Sequence, residues 1–94
     1  MSATFEVLAE PTRRRILDLL LDGERPVGDL VDALGVSQPA VSKHLRVLRR
    51  ARLVEARADG QRRLYRVLPS PLREMDAWLT PYRSLWESSG SQVS

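Results

Sequence analysis

A chain of 94 residues, 43% apolar and 29% charged, lies in the ordinary globular range, which argues against disorder and leaves room for one small core; its size alone makes help from a second subunit expected. No apolar run approaches the roughly 18 residues of a membrane span and no export leader opens the chain, so the expected setting is the cytoplasm with no membrane partner. The absence of cysteine excludes disulfides, thiolate nucleophiles and thiolate metal sites. The net charge of +3 is unevenly spread. From Ser37 to Arg66 nine basic residues meet only Glu55 and Asp59, a local net of +7, while everything else sums to −4. A one-sign block beside a mildly acidic remainder points to a polyanionic partner.

The expected organisation is a single domain over 1–88 with a flexible tail over 89–94, where Ser and Gly dominate. In chain order, "TFEVLAE" suits a short first helix carrying Phe5, Val7 and Leu8. "EPTRRRILDLLLDG" predicts a core helix: Pro11 fits a first turn, Ile16, Leu17, Leu19, Leu20 and Leu21 make a broad apolar side, and Gly23 is expected to end it in the left-handed conformation. "RPVGDLVDALG" spaces Leu30, Val31 and Leu34 as a helix, with Asp29 and Asp32 near its positive end and Gly35 closing it. Two residues later Ser37 is a good N-cap, its hydroxyl placed to accept the amide of Ala40, with Pro39 tolerated in the first turn. Two short helices joined by a glycine turn make a helix-turn-helix.

In the second of these helices Val41, Leu45 and Leu48 form the buried stripe, and Ser42, Lys43, Arg46, Arg49 and Arg50 occupy the opposite arc, with Gln38 and Pro39 at its start. A generic surface helix mixes Glu among its cations for i,i+4 pairing; no acidic residue occurs between Ser37 and Val54. "LVEARADGQRRLYRVL" then reads as two strands, Val54 to Arg57 and Leu64 to Leu68, around "ADGQ", with Arg57, Gln61, Arg62 and Arg63 about the tip. A hairpin directly after a helix-turn-helix is a wing. The last segment, "PSPLREMDAWLTPYRSLWESS", begins with Ser70-Pro71 as N-cap and first turn, carries Leu72, Met75, Leu79, Tyr82, Leu85 and Trp86 at helical spacing with Trp78 nearby, and is expected to kink or split at Pro81. Packing against the domain or a second copy is the plain use of these aromatics; a cofactor box is the sharper alternative. The predicted fold is mainly α with a small β-hairpin, a winged helix-turn-helix of about five helices plus a two-stranded wing.

The major groove of B-DNA admits one α-helix whose N-terminal residues reach base edges while flanking cations pair with phosphates. On that layout Gln38 can bond bidentately to adenine, Ser42 can donate or accept, and Lys43 can donate to guanine. Arg46, Arg49 and Arg50 lie farther along and suit phosphates, as do Arg57, Arg62 and Arg63 on the wing. A solvated surface charge is the bland reading of any one of these arginines. The lone His44 lies beside the apolar stripe and reads as a partly packed structural residue. With no cysteine and no second histidine the usual zinc sites cannot be assembled, nor can a nucleophile–base–orienter set, so no enzyme and no cofactor are expected.

"RRRILDLL", "SQPAVSKHLRVLRRARLV" and "ADGQRRLYRV", in that order and spacing, resemble the ArsR-type (arsenical-resistance regulator) winged helix-turn-helix repressors over roughly Phe5 to Leu68. The resemblance implies a homodimer that clasps a near-palindromic operator in double-stranded DNA and represses transcription, often of its own operon. It implies that Gln38, Ser42 and Lys43 touch DNA, and that the first and last helices form the dimer interface, which would explain Phe5, Leu79, Tyr82, Leu85 and Trp86. Metal sensors of that family carry a Cys-x-Cys pair where this chain has Pro26 and Gly28, and Asp and His on a last helix that here contains no histidine. A branch without metal ligands is therefore implied, with its effector open. The competing class is a winged-helix module that has lost DNA binding and turns its basic face to an acidic protein.

Overall fold

Helix starts in this chain are set by caps and prolines that its sequence places in order. A computed structural model describes residues 2–87; the tail expected over 89–94 lies outside the described residues. Helix α1 (Ser2–Leu8) buries Thr4 and Val7. At α2 (Pro11–Leu20) the Glu10 carboxylate accepts the Thr12 amide at 2.8 Å, Pro11 occupies the first turn, and Ile16, Leu17 and Leu20 face inward. The end of α2 departs from expectation: Leu21 stays right-handed, and Gly23 stands two residues later at φ +142°, outside the left-handed helical well. It turns the chain toward a short strand instead of capping the helix.

That strand, β1 (Arg25–Pro26), pairs antiparallel with the wing through Arg25–Tyr65 and Pro26–Leu64. The expected two-stranded wing is thus part of a three-stranded sheet in the order β1–β3–β2. Two residues, one of them a proline with no amide to donate, leave no strand signature; an edge position is where such a segment can pair. The Arg25 guanidinium fastens it by donating to the Leu19 carbonyl at 2.7 Å.

Helix α3 (Val27–Leu34) buries Leu30 and Leu34 and ends at Gly35, φ +69°, whose amide donates to the Val31 carbonyl. Helix α4 (Gln38–Arg50) starts at Ser37, whose Oγ accepts the Ala40 amide at 3.3 Å, and buries Val41, Leu45 and Leu48. Its far end is a Schellman motif built on an arginine: Arg52 takes φ +61°, its amide donates to the Arg49 carbonyl, and the Leu53 amide donates to the Leu48 carbonyl at 2.9 Å. Leu48 and Leu53 are both fully buried, supplying the apolar contact that goes with this motif.

Strands β2 (Val54–Asp59) and β3 (Arg62–Val67) pair from Val54–Val67 to Asp59–Arg62, two residues farther out on β2 than the sequence suggested. The turn shrinks to Gly60-Gln61, with Gly60 at φ +65°, and the Leu68 amide bonds to the Leu53 carbonyl at the base. Helix α5 (Ser70–Leu79) begins one residue earlier than expected: Pro69 already has helical angles, so Ser70 is the first helical residue and makes no side-chain cap. Pro81 splits the segment as anticipated, giving a 3₁₀ turn over Thr80–Tyr82 and a further helical turn over 84–87. The core gathers Val7, Ile16, Leu17, Leu20, Leu30, Leu34, Val41, Leu45, Leu48, Leu53 and Val54 from α1 to β2. Among the described residues no helix is long and apolar enough to cross a membrane.

Candidate nucleic-acid interface

Because Val41, Leu45 and Leu48 hold one side of α4 in the core, helical periodicity turns the opposite arc outward. Gln38, Pro39, Lys43, Arg46, Arg49 and Arg50 are exposed there, and Ser42 is half-buried beside them. None of the four cations on this arc has a carboxylate partner among the described residues. His44 points the other way, half-buried, and its Nδ1 accepts from the Arg13 guanidinium at 3.3 Å. Accepting at Nδ1 leaves Nε2 to carry the proton of the neutral ring. The same arginine reaches the Val7 carbonyl, so α1, α2 and α4 are tied at one point.

On the wing the charges are arranged differently. Arg57 lies in mid-strand opposite Leu64, away from the tip where its place in the sequence suggested it, and its guanidinium grips Glu24 at 2.7 and 2.9 Å. That hydrogen bond, reinforced by the positive charge of Arg57 and of Arg66, holds the Glu24 carboxyl below its ordinary range against the opposing effect of burial; the same carboxylate raises Arg57. Arg66 bonds Glu55 at 2.6 Å, and Arg62 approaches Asp59 at 3.4 Å. Of the named wing arginines only Arg63 is exposed without an ion-pair partner among the described residues; Gln61 is exposed at the turn. Eight of the nine cations close in sequence thus separate into an uncompensated helix arc and a largely compensated wing, with Arg52 between the two.

A second surface is apolar. Phe5, Tyr82, Leu85 and Trp86 are 39%, 44%, 67% and 50% exposed, and Leu79 is half-buried. The sequence left Trp78 as a neighbour of this group, whereas the structure makes it the hinge of the group: its ring meets Phe5 edge-on at 5.7 Å and Tyr82 at 5.0 Å. The i,i+4 spacing of Trp78 and Tyr82 was the available signal. These rings form a surface patch and not a closed box. An apolar cavity of about 220 Å³ lies elsewhere, between α2, the end of β3 and α5, walled by Leu8, Leu17, Leu21, Val67 and Leu72. Among the described residues no three His, Cys, Asp or Glu side chains converge as metal ligands would.

Residues 10–56 match the bacterial regulatory proteins of the arsR family. The chain is 43% identical to the HTH-type transcriptional regulator Rv2034 of Mycobacterium tuberculosis, over 95% of this chain and 91% of that protein. It is 33% identical to the transcriptional repressor SdpR of Bacillus subtilis, over 84% of this chain and 88% of that one. Among solved structures it resembles the homodimeric winged helix-turn-helix DNA-binding domain of Mb0332 from Mycobacterium bovis, a possible ArsR-family regulator, with a TM-score of 0.72 and 33% identity over 87% of this chain and 76% of that one. With an outward arc of uncompensated cations on the second helix of a helix-turn-helix and a wing beside it, the chain belongs to the arsR family of bacterial regulatory proteins, and it is a winged helix-turn-helix transcriptional regulator and not an enzyme.

Proposed function

We infer that the protein is a cytoplasmic homodimeric repressor that holds a near-palindromic operator, one α4 helix in the major groove of each half-site and one wing along each flank. The carrying observation is the α4 arc: Lys43, Arg46, Arg49 and Arg50 are exposed and have no carboxylate partner among the described residues, with Gln38 and Ser42 on the first turns above a capped N-terminus. A helix so presented offers base-reading groups where a groove is entered and phosphate partners farther along. Arg63 would meet the backbone from the wing, while Arg57 and Arg62, expected there from the sequence, are held by Glu24 and Asp59. Dimerisation is supported by the Phe5–Trp78–Tyr82 patch with Leu85 and Trp86, since an apolar surface of this kind on a small chain marks an association site. It is supported too by the homodimeric Mb0332 domain and, for repression, by the name borne by SdpR.

Footprinting on genomic DNA upstream of the protein's own gene tests this reading. Two protected half-sites about 34–36 Å apart are expected, one turn of duplex or a multiple of it. Within them Gln38→Ala should cost about 1–3 kcal/mol at one base position and spare binding to unrelated duplex. Equal loss on every sequence would make Gln38 a backbone contact. A chain that ignores duplex DNA and captures an acidic protein would be the interaction module instead.

A further inference from the structure

The Glu24–Arg57 pair joins the two outer strands of the sheet across the one between them. Glu24 immediately precedes β1, Arg57 belongs to β2, and β3 runs between. Pro26, Leu64 and Arg57 share one row of the sheet, so Glu24, two residues before Pro26, reaches diagonally over β3 to make its two-pronged contact. Neighbouring strands are about 4.8 Å apart, so the pair spans roughly two strand spacings, which a long arginine and a glutamate together can bridge. Beyond Leu64, β3 has no β1 partner: the outer hairpin, with Gln61, Arg62 and Arg63, is backed by β2 alone. Arg57 is therefore the outermost point at which β2 is tied to the body of the protein on this face.

We propose that Glu24 is a positioning residue for DNA recognition: by gripping Arg57 it sets the angle of the outer wing and withholds that guanidinium from the duplex, so that the wing contributes register more than bulk affinity. The inference rests on the DNA-binding function proposed above. Two opposed consequences follow, and their combination is diagnostic. Without the grip the wing samples more orientations, which lowers discrimination between operator and unrelated DNA. At the same time Arg57 becomes free to neutralise a phosphate, which raises non-specific affinity and steepens the salt dependence.

The test compares the full-length protein with Glu24→Gln, Arg57→Gln and the exchanged pair Glu24→Arg/Arg57→Glu, each checked for an unchanged melting transition, on an operator duplex and a scrambled duplex across a salt series. For Glu24→Gln the slope of log K against log[salt] should steepen by up to about 0.9 per protomer, near 2 for a dimer, while the operator preference falls several-fold. Arg57→Gln should lose preference without steepening the slope, and the exchanged pair should recover preference. A role in stability alone would weaken both duplexes equally and leave the slope unmoved, overturning the proposal; so would a Glu24→Gln protein indistinguishable from the parent. Amide exchange over residues 58–62 separates this failure from failure of the DNA reading. Faster exchange there in Glu24→Gln, with no duplex bound by any variant, would keep the clamp and sink the operator function, whereas unchanged exchange would sink the clamp.

Discussion

The separation of the basic residues into a free helix arc and a compensated wing makes a quantitative claim about salt. Of the nine cations between Lys43 and Arg66, Arg57, Arg62 and Arg66 have carboxylate partners, and Arg52 lies past the end of α4, off its outward arc. Five per protomer remain for phosphates: Lys43, Arg46, Arg49, Arg50 and Arg63. A dimer then neutralises at most about ten phosphates, and at about 0.9 per contact the upper bound on the slope of log K against log[salt] is near −9. Replacing Arg46 by Gln removes two of these contacts and should flatten the slope by about 1.8, so that between about 50 and 200 mM salt the variant loses roughly tenfold less affinity than the parent. The control removes a neutral pair, Glu55→Gln with Arg66→Gln, because deleting Arg66 alone would leave Glu55 as a new repulsive charge. That double variant should track the parent. Fluorescence anisotropy on a labelled duplex reads both slopes. Equal flattening in Arg46→Gln and in the pair variant would show that wing arginines abandon their carboxylates on binding, and would refute the division of charge drawn here.

Three further outcomes are expected. Arg52→Gly should raise stability by about 0.5–1 kcal/mol, a few degrees in a thermal melt, because φ +61° strains a side chain and not a glycine, the gain being trimmed by the greater freedom of glycine in the unfolded chain; a lower melting temperature would refute the strain. Leu48→Ala should cost about 2–5 kcal/mol in denaturant titrations, since Leu48 is fully buried and supports both the α4 stripe and the Leu53 contact; a loss under about 1 kcal/mol would mean that the end of α4 repacks. Glu24 is held below the ordinary glutamate value of 4.5, chiefly by its bond to Arg57, so its contribution is complete above that value and is lost as pH falls through the lower folded one. Arg57, Arg66, Glu55 and Asp59 complete the charged surroundings, and the difference between parent and Glu24→Gln in wing amide exchange should be constant from neutral pH down to about 5 and close below it; a difference that widened on acidification would reverse the sign of the linkage.

The helices were legible because their signals are local. Ser37, Gly35 and Pro11 each act on amides or angles within a turn, and the Val41–Leu45–Leu48 stripe repeats at the helical period. What escaped was non-local. β1 exists only because Arg25 and Pro26 lie beside Tyr65 and Leu64, nearly forty positions away, and nothing in "RP" announces a strand. Gly23 was misread for a related reason: a glycine after a leucine run looks like a left-handed cap, yet the demand at that point is set by where β1 must go. Arg52 is the converse case, a left-handed site filled by a residue that carries no sign of it, held there by amide bonds to Arg49 and Leu48 and by burial of Leu53.

The same limit applies to charge and reaches further toward function. Along the chain a run of arginines reads as one electropositive block, and from Ser37 to Val54 that reading is sound because no acidic residue lies in the segment to compensate it. On the wing it fails, because a β-hairpin brings cross-strand residues face to face: Glu55 meets Arg66 across the ladder, and Glu24 arrives from a different segment to take Arg57. A helix of this composition advertises its charge in sequence, whereas a hairpin of equal composition conceals whether its charge is free. Net charge therefore identified the partner class, while telling the free cations from the compensated ones required knowing which carboxylate stands opposite which guanidinium.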